Sequence, residues 1–185
     1  MQKVYSAIDL RGYPCDLYET VVQVVPVDEI LYVHGLVGVE VEHLAQLNQV
    51  PKSVTIIIAR GGTASANRTL LASKKIDILS HPYPFDSYQA RLAAKNNIAV
   101  ELCFKELETT KGYHRAKVLT QLYATVKLAQ KYHTPLVITS GATSAIEVKP
   151  PRTLVAFGKV LGLDYQEAKA CIWHIPKKIL EGITW

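Results

Sequence analysis

Short apolar runs alternate with amphipathic stretches along most of this chain. Strands are expected over residues 3–8, 29–34, 54–59, 76–80, 99–104 and 136–140, where β-branched and aromatic residues cluster in runs of five or six. Near-continuous apolarity, rather than strict alternation, is the mark of parallel strands covered on both faces. Residues 38–49, 64–75, 86–96 and 113–132 carry helical spacing instead, and in the last of these Leu119, Leu122, Val126 and Ala129 form one stripe. Pro150-Pro151 is placed to open a further helix that Gly162 ends, and Asp164 with Glu167 has the spacing of a capping box for the next. Strand–helix alternation with short connections implies right-handed βαβ units. Six strands, with a seventh hidden in residues 21–25, favour a small (β/α) barrel of one domain over residues 1–185 rather than an open sheet.

Composition narrows the class. A chain of 185 residues, 49% hydrophobic and 20% charged, can bury a core and is not of disordered type. No apolar run reaches the roughly 20 residues of a membrane span. Asp9 and Arg11 interrupt what a signal peptide would need as an unbroken apolar stretch, so a soluble, cytoplasmic protein without membrane contact is expected. Cys15, Cys103 and Cys171 are scattered and odd in number, which suggests buried thiols rather than a disulfide framework or a zinc knuckle. The net charge of +5 is unevenly spread: residues 1–59 carry −4 and residues 60–185 carry +9. That asymmetry points to an anionic partner for the second part.

In a parallel barrel the loops after the strands open on one face. Here they hold Arg11, His34, Arg60, His81, Lys105, Lys111, His114, Arg115, Lys149 and Arg152, with Asp9, Glu106, Glu108 and Glu147 among them. Arg115 falls by helical phase on the apolar stripe of 113–132, so it is expected either to reach over the barrel mouth or to hold a buried carboxylate such as Glu101. Arg152 sits at a helix start, where free N–H groups already favour anions, with Lys149 beside it. The turn Arg60-Gly61-Gly62 reads as a tight turn first and as a phosphate cradle second. No two of the six histidines have local metal-ligand spacing, and no P-loop, GxSxG or complete dinucleotide fingerprint occurs.

Several motifs resemble a known family. IDILSHP (76–82) is similar to a family strand that ends in a Ser-His-Pro turn. Residues 93–142 follow its order of helix, strand, basic loop, long helix with an early arginine, and strand ending in Ser-Gly-Ala. KPPRTLVAFGKVLGLDYQEAKACIWHIPKKIL (149–180) resembles its C-terminal signature. The family is ribonuclease P protein component 3, counterpart of the eukaryotic thirty-kilodalton subunit, with a distorted TIM-like barrel of the polymerase-and-histidinol-phosphatase (PHP) type. The resemblance implies an RNA-binding subunit of the ribonucleoprotein that removes the 5′ leader from precursor tRNA. The RNA would catalyse the magnesium-dependent hydrolysis, and the protein would bind no cofactor or metal and be inactive alone. The implied partners are ribonuclease P RNA, precursor tRNA indirectly, and protein component 2 in a heterotetramer. Arg60, Arg68, Lys105, Lys111, His114, Arg115, Lys149 and Arg152 are the residues expected to contact RNA. Two departures from the family pattern stand out. Phe104-Lys105-Glu106-Leu107 replaces Leu-Arg-Pro-Leu, which keeps a cation but loses its planar fork. Asp9-Leu10-Arg11 stands where catalytic PHP enzymes carry HxH, which argues against a metal site there. The alternative is a PHP-like metal-dependent phosphoesterase, with His81 as a surviving ligand.

Overall fold

A computed structural model describes residues 6–32 and 35–183. Its strands are β1 (Ile8–Asp9), β2 (Thr20–Val21), β3 (Gln23–Pro26), β4 (Val37–Val41), β5 (Ile56–Arg60), β6 (Ile78–Ser80), β7 (Ala99–Cys103) and β8 (Leu136–Thr139). Six of them form a parallel sheet in the order β3-β4-β5-β6-β7-β8, and β1 pairs in parallel with β2. The two sheets are nearly one, because β2 and β3 are separated by Val22 alone and the Val22 amide donates to the Asp9 carbonyl at 2.9 Å. On the other side, the Gly141 amide donates to the Arg11 carbonyl at 2.9 Å, which brings the end of β1 to the end of β8. Lower down, the gap is filled by the turn at Cys171-Ile172, whose carbonyls accept from the Ile138 and Ile8 amides at 3.0 and 2.7 Å. The result is a curled, distorted (β/α) barrel, as the strand–helix alternation implies.

The helices are α1 (Ala64–Ser73), α2 (Ser87–Lys95), α3 (Lys105–Thr109), α4 (Gly112–Tyr132), α5 (Pro151–Val160), α6 (Tyr165–Ala170) and α7 (His174–Leu180). The Pro150-Pro151 start is found, and α6 begins with the expected capping box: Asp164 accepts from the Glu167 amide at 2.7 Å and Glu167 from the Asp164 amide at 2.8 Å. Two apolar layers result. Ile8, Ile56, Ile58, Ile78 and Val137 fill the barrel, with Ile175 and Ile179 of α7 packed against them. Val39, Leu79, Leu102 and Ile138 face outward beneath the helices.

The expectation over 29–49 is corrected. Residues 27–32 form tight 3₁₀ turns, the strand lies at 37–41, and 44–49 is again 3₁₀. Val33 and His34 lie outside the described residues, as do residues 3–5 of the first expected strand. The reason is visible in VGVEV: Val37, Val39 and Val41 are all buried, and β-branching and Gly38 both disfavour a helix. A Cβ at Gly38 would approach Ile56 Cγ1 to 2.8 Å, so the close pairing of β4 with β5 requires glycine there.

Candidate functional site

The strands end on one face, around a mouth built of carboxylates and cations. Arg11 follows β1 into its centre. Its Nη2 is 2.7 Å from Glu40 Oε1 of β4 and its Nη1 is 3.4 Å from Glu101 Oε2 of β7. Glu101 is fully buried, and its other oxygen accepts from the Thr139 hydroxyl at 2.7 Å. Arg60, at the end of β5, lies 3.7 Å from Glu40. Burial raises the Glu40 carboxyl, but the Arg11 guanidinium outweighs it and holds the group below its ordinary value. Over this network opens a cavity of about 600 Å³, also lined by His81, Lys105, Glu106 and Thr143.

Two further groups are tuned by burial. Asp9 is enclosed and accepts from the Ser140 and Arg11 amides at 3.2 Å, yet burial outweighs these bonds and pushes its carboxyl up to about 7. Glu106 is likewise pushed up to about 7 by burial, with Glu101 adding to the rise and the Tyr83 hydroxyl, donating at 3.3 Å, opposing it. His81 Nε2 lies 3.6 Å from Glu106, and burial lowers the imidazole below its usual value. Both partners are therefore driven toward their neutral forms. Raised carboxyls stabilise the fold when protonated, so their contribution is complete near pH 4 and is lost as pH rises through about 7. The slope is about 1.4 kcal/mol per pH unit for each group. Urea unfolding at a series of pH values should show stability falling from pH 5 to 7, the two raised carboxyls outweighing the lowered His81 imidazole, which acts in the opposite sense, and Glu106→Gln should flatten that fall.

The segment Arg60-Gly61-Gly62 proves to be a turn whose donors are already used. The Gly61 amide donates to the Ser80 carbonyl at 2.6 Å and the Gly62 amide to Asn67 Oδ1 at 2.8 Å. A Cβ at Gly61 would lie 2.8 Å from the His81 carbonyl oxygen and the Pro82 Cα, both backbone. Gly61→Ala should therefore destabilise by roughly 1–3 kcal/mol, measured as a lower urea midpoint at unchanged m-value.

The expected RNA-contact residues separate into two groups. Lys105 lies 2.8 Å from both Glu147 and the Thr143 hydroxyl, Lys149 is 2.7 Å from Glu108, and Arg68 is 2.7 Å from Asp86, so their charge is matched locally. Lys111, His114 and Arg115 stand at the start of α4 with no carboxylate within 4 Å, among the ion pairs of the described residues. Arg115 is not turned toward the core. It is exposed, its Nε donates to the Thr110 carbonyl at 2.8 Å, and Glu101 is held by Arg11 instead. The stripe that is buried runs through Leu122, Val126 and Ala129, because α4 projects its first two turns beyond the edge of the barrel. Arg152 is exposed on the first turn of α5 and faces a separate groove beside α6.

Sequence reasoning from loops alone passed over a broader feature. From Thr109 to Ile146 the chain holds no acidic residue, while Lys111, Arg115, Lys117, Lys127 and Lys131 all lie on or next to α4. Residues 111–117 are all exposed, and Tyr113, 79% exposed, meets the His114 ring edge-on at 6.0 Å. Counting charge by helix rather than by loop would have found it. Among the described residues no three His, Cys, Asp or Glu side chains are grouped as metal ligands, and no helix is long and apolar enough to cross a membrane.

The molecule is thus a distorted (β/α) barrel whose mouth is filled by paired charges and which carries a row of unmatched positive charge along a helix outside it. The family RNase P subunit p30 matches residues 35–184, and the chain belongs to that family. It is 34% identical over 154 residues to ribonuclease P protein component 3 of Methanosarcina mazei, covering 80% of this chain and 60% of that protein. The component 3 of Methanothermobacter thermautotrophicus is 32% identical over 141 residues, covering 73% and 58%. This chain spans about half to 60% of the length of the curated relatives it matches. A chain from a cryo-EM structure of archaeal ribonuclease P with mature tRNA superposes with a TM-score of 0.76 at 25% identity, over 95% of this chain and 90% of that one. The ochratoxinase of A. niger shares the fold at 10% identity and a TM-score of 0.58, covering 78% of this chain and 39% of its own.

Proposed function

We propose that this chain is an RNA-binding subunit of ribonuclease P, acting in the cytoplasm on the 5′ maturation of precursor tRNA. The observation that carries the reading is the acid-free, exposed start of α4, set on a barrel of the RNase P subunit p30 family. A row of uncompensated Lys and Arg suits a phosphate backbone, which rewards each contact by releasing counterions. Tyr113 and His114 add rings on which unpaired bases can stack. The protein would hold the catalytic RNA in its active fold, together with protein component 2 in a heterotetramer, and would touch precursor tRNA through that RNA. Magnesium would serve the RNA.

The phosphoesterase alternative has weaker support. Glu40 and Glu101, the carboxylates at the centre of the mouth, are already committed to the Arg11 guanidinium. His81 is held in a turn at φ 49°, with its Nδ1 2.8 Å from the Ser80 hydroxyl. Reconstitution tests the two readings together. Ribonuclease P RNA with its other protein components should cleave the precursor tRNA leader much faster when this chain is added, and the RNA-free chain should cleave nothing in magnesium or manganese. Metal-dependent cleavage by the pure chain, abolished by His81→Ala, would establish the phosphoesterase instead.

A further inference from the structure

On the outside of the barrel, α5, α6 and the segment entering β1 enclose a groove of about 470 Å³. Its floor is apolar, formed by Pro151 and Ile172, and its walls carry Arg152, Lys159 and Lys169. No Asp or Glu lines it among the described residues. Two aromatic rings belong to the same walls: Tyr165, 55% exposed, and Trp173, over which Lys169 Nζ lies 6.0 Å from the ring centroid. A groove of this volume accepts one or two flat groups. Its chemistry is a π-face with an apolar floor, bordered by two cations at either end of α5 and a third on α6.

We propose that the α5–α6 groove is a second RNA site, which takes an unpaired nucleotide of a single strand by stacking its base on Trp173 while Arg152, Lys159 and Lys169 hold the flanking phosphates. Base stacking accounts for the exposed Tyr165 ring and the half-buried Trp173 ring, and the phosphates for cations without acidic partners. An acidic protein segment would use the cations but leave the aromatic walls unexplained. The α5–α6 pair that carries the groove packs on the middle and end of α4 through its other side. Gly162, which ends α5, has a Cβ position 3.4 Å from the Tyr123 ring of α4, and Gln130 of α4 reaches Glu167 of α6 at 3.0 Å. The inference rests on the RNA-binding reading above, and assigns a place on the chain to the part of the RNA that is unpaired.

The sequence holds two tryptophans, Trp173 and Trp185, so Trp185→Phe makes the full chain a single-tryptophan reporter of the groove. Titration with a six-nucleotide oligouridylate should quench Trp173 fluorescence saturably, and poly-glutamate of similar charge should neither quench it nor displace the oligonucleotide. In the otherwise unsubstituted chain, Trp173→Leu should weaken oligonucleotide binding about tenfold or more, and Lys159→Ala with Lys169→Ala should lower the slope of log affinity against log salt by roughly 1.4. Equal binding of poly-glutamate, or affinity unchanged by Trp173→Leu in a chain of normal thermal midpoint, would overturn the proposal. The same titration with ribonuclease P RNA separates it from the broader reading. If substitutions on α4 weaken that RNA and those in the groove do not, only the groove assignment falls; if neither does, both fall.

Discussion

Arg11→Met is expected to cost about 3–5 kcal/mol of folding stability, because it leaves two carboxylates at the barrel mouth without their shared cation. Glu101 is wholly buried and Glu40 mostly so, while Arg11 itself is only 13% exposed. A buried pair is weak support for a fold compared with an apolar packing, but removing one member strands the other in a medium that solvates it poorly. For a chain of this size the thermal midpoint should fall by roughly 10 °C. Arg11→Lys should recover little, since a single ammonium cannot reach both Glu40 and Glu101 as the planar fork does. The double variant Arg11→Met with Glu101→Gln should be more stable than Arg11→Met alone, with coupling of about 1–3 kcal/mol in a double-mutant cycle. A drop under 0.5 kcal/mol for Arg11→Met would mean that the guanidinium is an ordinary solvated group, and that the mouth is held by something else. RNA affinity should change little, because Arg11 is spent on the protein.

Much of the barrel was legible in the sequence because parallel strands announce themselves by local apolarity. AVELC and LVIT are buried end to end, IIIAR is buried but for the partly covered Ile57 and the exposed Arg60, and no tertiary detail is needed to recognise them. The stretch 29–49 was misread because its strand, VGVEV, is interrupted by glycine and glutamate, whose reasons are both tertiary. Gly38 lets Ile56 approach, and Glu40 turns to Arg11 across the mouth. The site was legible by residue type and less so by pairing. Lys105 and Lys149 sit where the loops put them, but their partners Glu147 and Glu108 are distant in sequence or in register, so the neutralisation could not be read. Arg115 was misjudged for a geometric reason. Helical phase fixes a direction around the axis and says nothing of where along the axis the barrel ends. That Arg11 would anchor a carboxylate-and-guanidinium network at the mouth was half visible, in the Asp9-Leu10-Arg11 motif but not in the pairing with Glu40 and Glu101.

Loss of the three cations that open α4 should have the largest effect on RNA binding. Lys111, Arg115 and Lys117 are exposed and lack acidic neighbours within the helix, so each can release a counterion on meeting a phosphate. Replacing all three by alanine should lower the slope of log affinity against log salt by about two to three units, and should weaken binding roughly a hundredfold near 0.15 M salt. Stability should hardly move, since exposed side chains away from the core are usually worth under about 0.5 kcal/mol each. The measurement is a salt titration of ribonuclease P RNA binding by the pair of this chain and component 2, wild type against the triple variant, with thermal midpoints taken on the same preparations. A flattened slope at an unchanged midpoint is the predicted result; an unchanged slope and affinity would contradict the assignment of α4 as the RNA-binding face and, with it, the proposed function.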